Sequence, residues 1–231
     1  MNFVRHPLAA ALFALAFPLA GLVAATPVAA SDAPVSAATV AAPEAAAVAR
    51  LQARWAEIKY GMAADAQADA FEALAKEADD AVAAHPRDAA VLTWRGIVEA
   101  SWAGAKGGLG ALSLVKKAKA DFETALAIDE AVLDGSAHTS LGSLYYQVPG
   151  WPVGFGDEDA AREHLQAGLR LNPAGIDSNY FWADFLRDQG DDAGAIAAFR
   201  KALAAPPRPG REAADAGRRG EIEAALAALE G

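Results

Sequence analysis

The stretch IDSNYFWADFLRDQGDDAGAIAAFRKALAAPPRP, residues 176–209, decides the fold of this 231-residue chain. Two runs within it carry apolar residues three or four positions apart, which is the spacing of one face of an α-helix. Gly190 and Asp191 separate the runs. Glycine suits the residue after a helix because it readily adopts a left-handed backbone, and an aspartate side chain can cap the amides of the next helix. The stretch therefore predicts two helices joined by a tight turn.

The same stretch has the length and residue pattern of a tetratricopeptide repeat (TPR), a helix-turn-helix unit of about 34 residues. In such a unit, small residues stand where the two helices cross, because a larger side chain would force the helix axes apart. The matching residues are Trp182, Ala183 and Leu186 in the first helix, and Ala195, Phe199, Ala202 and Pro207 in the second.

Three earlier segments repeat the pattern less closely. Residues 135–175 contain about seven extra residues within 149–156. Residues 89–134 contain about ten extra residues around 104–110, and we predict that this glycine-rich stretch forms a loop between helices. Residues 44–88 are predicted to be a degenerate unit, with residues 44–60 as its first helix. The matching positions are Leu141, Gly142, Tyr145, Ala161, Leu165, Gly168 and Pro173, then Gly96, Ala118, Phe122 and Ala125, and in the degenerate unit Leu74, Ala78, Ala81 and Pro86.

These repeats predict an all-α fold over residues 44–231, a TPR helix-turn-helix solenoid coiled as a right-handed superhelix. No repeat buries its apolar face alone, so neighbouring repeats must stack. The last repeat spans residues 176–209. Residues 211–230 carry a helical stripe of apolar side chains and are predicted to be the C-terminal capping helix that terminal repeats require. The stripe consists of Ile222, Ala225, Leu226 and Leu229.

The first 30 residues are typical of a secretory signal peptide. Arg5 is followed by an apolar run over residues 8–23, and small residues precede a predicted cut after Ala30. The run is broken by Pro18 and is shorter than the roughly 20 residues that span a bilayer. Residues 31–43 are predicted to be a flexible lead-in, with Pro43 opening the first helix. We expect a periplasmic or secreted protein without a membrane span after cleavage.

Composition excludes several classes of function. The formal net charge of −10 disfavours nucleic acid as a partner, because an acidic surface repels phosphates. The chain has no cysteine, which excludes disulfides, thiolate catalysis and cysteine zinc sites. Its four histidines lack metal-ligand spacing, and the glycines at 104–110 lack the Lys-Ser/Thr of a phosphate-binding loop. We therefore predict no metal, no cofactor and no catalytic residue.

The segment YYQVPGWPVGFGDEDAAREHLQAGLRLNPAGIDSNYFWADFL, residues 145–186, resembles a bacterial group of exported TPR proteins. That group is similar to the T component, the TPR lipoprotein, of TRAP-type transporters, and the resemblance extends over roughly residues 88–225. It implies a periplasmic accessory that associates with a substrate-binding protein or shelters a small apolar ligand. The T components carry a lipid on a cysteine, which this chain does not contain. The residues that carry the resemblance are Tyr145, Tyr146, Pro149, Gly150, Trp151, Pro152, Gly154, Gly156, Asn179, Tyr180 and Phe185.

Two regions are candidates for partner binding. The first is the concave face of the solenoid, because such faces are the usual binding surface. Alignment of the first helices predicts that it is formed by Thr93 and Ile97, by Thr139, Ser143 and Tyr146, and by Tyr180, Asp184 and Arg187. The second is the insertion with Trp151 and Phe155, which either fold back on the solenoid or contact a partner.

The predicted function is a non-catalytic scaffold for protein–protein interaction. A transporter accessory that binds a small apolar ligand or a substrate-binding protein is the alternative within this class. The alternative from another class is a hydrolase with its site in the loop 149–157, although no nucleophile and base are visible there.

Overall fold

The computed structural model describes residues 42–231, except for the side chain of Leu109; the predicted signal peptide and most of the lead-in lie outside this range. The described residues fold as nine α-helices and one π-helical turn, with no strand among them. In chain order the elements are α1 (Pro43–Ala56), the π-turn (Glu57–Gly61), α2 (Ala64–Ala84), α3 (Ala89–Lys106), α4 (Gly108–Ile128), α5 (Val132–Gln147), α6 (Glu158–Leu171), α7 (Ile176–Asp188), α8 (Asp192–Leu203) and α9 (Glu212–Glu230).

The helix boundaries follow the local chemistry of the sequence. The Asp191 carboxylate accepts a hydrogen bond from the amide of Gly194 at 2.9 Å, and Asp157 caps α6 in the same way. Gly190 has a φ of 79°, which an L side chain rarely adopts. The turn predicted between α7 and α8 is therefore confirmed. Pro43 lies in the first turn of α1, also as predicted.

The helices pack as consecutive antiparallel pairs. Each odd-numbered helix from α3 to α7 packs against the even-numbered helix that follows, and the odd-numbered helices α1, α3, α5, α7 and α9 contact one another in series. Among the described residues, the even-numbered helices make no comparable series of contacts, so the stack curves with the odd-numbered helices inside. The architecture is thus the predicted all-α helical solenoid, ending in the helix α9.

Small residues lie at the helix crossings, as the repeat pattern requires. A Cβ atom on Gly142 would lie 2.8 Å from Cγ of Leu165, and one on Gly96 would lie 2.6 Å from the ring of Phe122. Both distances are shorter than any ordinary carbon–carbon contact. Glycine at these positions lets α5 approach α6, and α3 approach α4, closely enough to bury the larger side chains between the repeats.

The prediction of a loop around residues 104–110 is wrong. Helix α3 continues to Lys106 and α4 begins at Gly108, so the extra residues lengthen both helices, to 18 and 21 residues. Only Gly107 lies between them, with a φ of 61°. Gly104 and Gly110 are accommodated inside helices because a glycine costs only about 1 kcal/mol relative to alanine, and packing of the flanking apolar residues outweighs that cost.

The insertion after α5 is not helical, in contrast to the extra residues around 104–110, which extend α3 and α4. Residues 148–157 leave α5 as an extended and turn segment and return directly to α6. None of the helices described in residues 42–231 combines the length and the apolar character needed to cross a membrane.

Candidate binding surface

Three of the residues predicted on the concave face lie together. The hydroxyl of Tyr146, on α5, donates a hydrogen bond to a carboxylate oxygen of Asp184, on α7, at 2.6 Å. The guanidinium of Arg187 pairs with the other oxygen of the same carboxylate. Burial, followed by the negative charge of Asp184, raises the pKa of Tyr146 well above its usual range. These side chains tie neighbouring repeats together, and the Arg187 side chain is still 42% exposed.

The hydroxyl residues predicted beside them are largely withdrawn from the surface. Thr139 packs against Gly168 of α6, at the helix crossing, and is 5% exposed. Ser143 donates to the carbonyl of Ser140 in its own helix at 2.7 Å and is 9% exposed. Thr93 is also buried, and its hydroxyl donates to the carbonyl of Ala89, one turn earlier in α3. Their hydroxyl groups serve the packing of α3 and α5 and offer little to a partner.

Tyr180 faces another part of the same chain. The guanidinium of Arg218, on α9, lies 4.1 Å from the centre of the Tyr180 ring. Arg218 is buried and donates to Asp177 at 2.9 Å and to Glu221 at 2.6 Å. Burial is the main reason why the pKa of Tyr180 is raised to about 12. The sequence prediction missed this contact because nothing in the repeat pattern indicates how far α9 reaches over α7.

Helix α9 also reaches back to the start of the solenoid. The hydroxyl of Tyr60, in the π-turn, donates to Glu221 at 3.2 Å, and Lys59 lies 3.5 Å from the same carboxylate. Gly217 of α9 lies directly against the Tyr60 ring, where a Cβ atom would collide with it. The side chain of Arg211 covers the ring of Trp94 at 5.0 Å. The inner face between α7 and the π-turn is therefore occupied by the chain itself.

The insertion presents the two most exposed of the large apolar side chains among the described residues. Trp151 is 90% exposed and Val153 is 63% exposed. The base of this loop is fixed by backbone hydrogen bonds, from Gly156 to Pro149 at 3.0 Å and from Asp157 to Tyr145 at 2.9 Å. The backbone segments approach so closely at Gly156 that any side chain there would collide with them. A rigid base thus carries an exposed tip.

Trp151 and Phe155 were predicted to behave alike, and they differ. The Phe155 ring folds back on the solenoid and meets the Tyr145 ring edge to face, with centroids 5.8 Å apart. The Nζ atom of Lys119, on α4, lies 5.7 Å from the centroid of the Tyr145 ring and 5.8 Å from that of the Phe155 ring. Phe155 is therefore the anchor of the loop, and Trp151 is its exposed tip.

A pair of histidines lies beneath this anchor. Nδ1 of His138, on α5, and Nδ1 of His164, on α6, are 2.9 Å apart, and the His164 ring stacks on Tyr145 with centroids 5.7 Å apart. Burial lowers the pKa of both imidazoles, and the neighbouring His138 lowers that of His164 further. The sequence placed these residues on opposite helices of one repeat, but only the register between the helices brings the rings together.

The loop 149–157 contains little that could carry chemistry. Its only ionisable side chain is that of Asp157, which accepts hydrogen bonds from the first amides of α6 and is thereby used as a helix cap. Among the described residues, no group of three or more histidine, aspartate and glutamate side chains is placed to hold a metal ion.

No known family profile matches this chain, and no curated protein matches it. Among solved structures, the chain is similar to a thermophilic TPR protein of Thermus thermophilus, at 15% sequence identity and a TM-score of 0.42. The similarity covers 78% of this chain and 99% of that chain.

Proposed function

We propose that this chain is a non-catalytic scaffold that binds a protein partner through the loop 149–156. The observation that carries the proposal is the 90% exposure of Trp151 at the tip of a loop whose base is held by hydrogen bonds and by Phe155. Large exposed aromatic residues on rigid supports are enriched at the energetically dominant positions of protein interfaces. Exposure of the indole to water contributes no favourable free energy, whereas its burial in an apolar pocket of a partner does.

The loop favours binding because it is already ordered. A tryptophan buries about 150–250 Å² in an interface, which corresponds to about 4–6 kcal/mol of transfer free energy. Ordering a mobile loop would consume part of that gain, and a preformed loop avoids this cost. We expect truncation of Trp151 to remove about 2 kcal/mol or more of binding free energy, as is usual for a dominant interface residue.

The exposed part of the inner face is the second contact region in this proposal. The guanidinium of Arg187 is bound to Asp184 and remains partly exposed, so it can donate further hydrogen bonds to a partner without leaving its carboxylate. Arg187→Ala would test this region separately from the loop. We expect a smaller loss of affinity than for the loop, because an exposed charge contributes less than a desolvated aromatic ring.

The test compares three proteins as bait for a periplasmic extract: the unmodified chain, Trp151→Ala and Ile128→Ala. Ile128 is a matched control because it is also a large exposed apolar residue, 47% exposed, at the end of α4. A partner retained by the unmodified chain and the control, and bound about 30-fold or more weakly by Trp151→Ala, supports the proposal. Equal retention by all three proteins refutes it.

The non-catalytic part of the proposal has its own support. A hydrolase site in the loop needs both a nucleophile and a base within hydrogen-bond reach. Asp157, the one ionisable side chain of the loop and already used as a helix cap, cannot supply both. A screen of the purified protein against ester, amide and phosphoester substrates tests this. Hydrolysis that disappears in Trp151→Ala or Asp157→Ala would overturn the proposal in favour of an enzyme.

We further propose that the chain acts in the periplasm after cleavage behind Ala30. The signal-like residues 1–30 support this, and N-terminal sequencing of protein from the periplasmic fraction tests it, with Ser31 expected first. Recovery of a transporter's substrate-binding protein in the bait experiment would favour the transporter accessory role. The inner face carries the ion pairs of Arg218 and the Arg211 guanidinium that covers Trp94, so it supports a small apolar ligand less than the apolar loop tip does.

A further inference from the structure

The imidazoles of His138 and His164 face each other through their Nδ1 atoms, 2.9 Å apart. At this distance one Nδ1 must donate its proton and the other must accept it, so one of the two carries no proton. Nε2 of His138 is buried without a hydrogen-bond partner. A buried N–H group without an acceptor is rarer and costlier than a bare acceptor nitrogen. The favoured state is therefore a neutral pair in which His138 Nδ1 donates to His164 Nδ1.

Proton uptake conflicts with this arrangement in two ways. A proton added to His138 produces an N–H at its buried Nε2, where no acceptor lies. A proton added to His164 Nδ1 sets two N–H groups against each other unless His138 changes tautomer, which again creates the unpaired Nε2–H. Double protonation adds repulsion between two cations whose ring centroids are 5.1 Å apart. The pair can take up protons fully only by separating.

The pair is connected to the loop by direct packing. His164 stacks on Tyr145 at an interplanar angle of 10°, and Tyr145 holds the Phe155 ring edge to face. The carbonyl of Tyr145 also accepts the hydrogen bond from the Asp157 amide that closes the loop. Movement of His164 away from His138 therefore disturbs the one residue that fixes the loop through both its ring and its carbonyl.

The charges around the pair come from three sides. Helix α4 contributes Lys119 and Glu123, the turn before α5 contributes Glu130, and α6 contributes Glu163 and Arg170. The glutamates favour protonation, whereas Lys119 and Arg170 oppose it, as does burial of both rings. Burial is the largest influence on each imidazole, so the neutral pair persists below the pH at which free histidine is half protonated, about 6.5.

We propose that His138 and His164 form a proton-sensitive latch that holds the loop 149–156 in place when neutral and releases it when protonated. The latch regulates the loop to which the proposed function assigns partner binding. It concerns the conformation of the free protein, however, so it can be tested without a partner and can fail or hold independently of the partner proposal.

The test is a pH titration of the ¹⁵N-labelled protein by NMR, from about pH 7.5 to 5, a range centred near the ordinary histidine pKa. It follows the ring nitrogens of His138 and His164 and the backbone amides of Gly154 and Gly156. We expect both imidazoles to titrate below the ordinary histidine pKa of about 6.5, and in two separate steps, as coupled sites do. The amides of Gly154 and Gly156 should move over the same range. Hydrogen exchange of the Gly156 amide should quicken beyond its intrinsic pH dependence, by about tenfold for each unit by which release raises an imidazole pKa.

Three variants separate the latch from general acid destabilisation. His164→Phe keeps a ring on Tyr145 but cannot be protonated, so its loop amides should no longer respond to pH in this range. His138→Gln removes the facing imidazole and serves if the first variant does not fold. His85→Gln changes a histidine at the end of α2, and its loop amides should respond to pH as they do in the unmodified protein. Loop amides that stay fixed while the imidazoles titrate, or that respond equally in His164→Phe, overturn the proposal.

Discussion

Replacing Gly142 with alanine tests the packing that places the candidate surface. A Cβ atom at this position would lie 2.8 Å from Cγ of Leu165, 3.0 Å from the Leu165 amide nitrogen and 3.1 Å from the carbonyl oxygen of Ala161. The side chain of Leu165 can rotate, but the two backbone atoms of α6 cannot move without the helix. We therefore expect α6 to be displaced from α5 in Gly142→Ala.

The size of the effect follows from two opposing contributions. Alanine favours the helical state over glycine by about 1 kcal/mol, and overpacking a crossing of this kind costs about 1–3 kcal/mol. Because backbone atoms make two of the three close contacts, the cost should be near the upper end. The expected net loss of unfolding free energy is about 2 kcal/mol, or roughly 4–8 °C in melting temperature for a chain of this size.

Gly220→Ala is the matched control. Gly220 lies within α9, and beyond the neighbouring backbone of its own helix no atom lies within 4 Å of where its Cβ would be. The same substitution should therefore stabilise the protein there, by about 0.4–1 kcal/mol. The measurement is urea unfolding followed by circular dichroism, with amide exchange to locate the change at α5 and α6, since repeats can unfold separately. If Gly142→Ala is as stable as the unmodified protein, or shifts in the same direction as Gly220→Ala, the reasoning about the crossing is refuted.

Three other changes give separate predictions. Arg218→Met should lower the unfolding free energy by about 3 kcal/mol in urea unfolding, because it removes a buried partner of the Asp177 carboxylate; an unchanged midpoint would contradict this. Tyr146→Phe should cost about 2 kcal/mol, since its hydroxyl donates to the charged Asp184, and a cost near zero would show that water replaces the bond. The pKa of each imidazole in the histidine pair is lowered on folding, so the unfolded chain binds more protons below about pH 6.5. Stability should therefore be complete above that pH and fall as the pH drops through the folded-state pKa values, in unfolding curves at pH 7.5 and 5.5; a variant without both histidines should lose that part of the pH dependence.

The fold was predictable from sequence because its determinants are local. The cap at Asp191, the left-handed Gly190 and the small residue Gly142 each act within one helix pair, and each lies where the repeat pattern requires. The loop around residues 104–110 was mispredicted for a related reason. Glycine weakens a helix only modestly, and whether a helix continues through Gly104 is decided by packing of its neighbours, which the pattern does not report.

The candidate surface was less predictable because it depends on distances between repeats. The contact of α9 with the π-turn results from the curvature accumulated over the whole stack, and no spacing in the sequence encodes it. The same holds for His138 and His164, which are 26 residues apart and meet only through the register of α5 on α6. For the loop, the sequence correctly identified an insertion that departs from the repeat, but exposure alone separates Trp151 from Phe155.

The occupied inner face explains why the loop is the better site for a partner. A partner that enters between α7 and the π-turn must separate Arg218 from Asp177 and Glu221, which leaves the buried Arg218 guanidinium without its partners and costs several kcal/mol before any contact is made. A partner that covers the Trp151 indole need not break the hydrogen bonds of the loop, because these are made by the backbone, and the anchoring ring contact is made by Phe155. Binding at the loop therefore retains nearly all the free energy of burying the indole, whereas binding at the closed part of the groove must first offset the loss of the ion pairs.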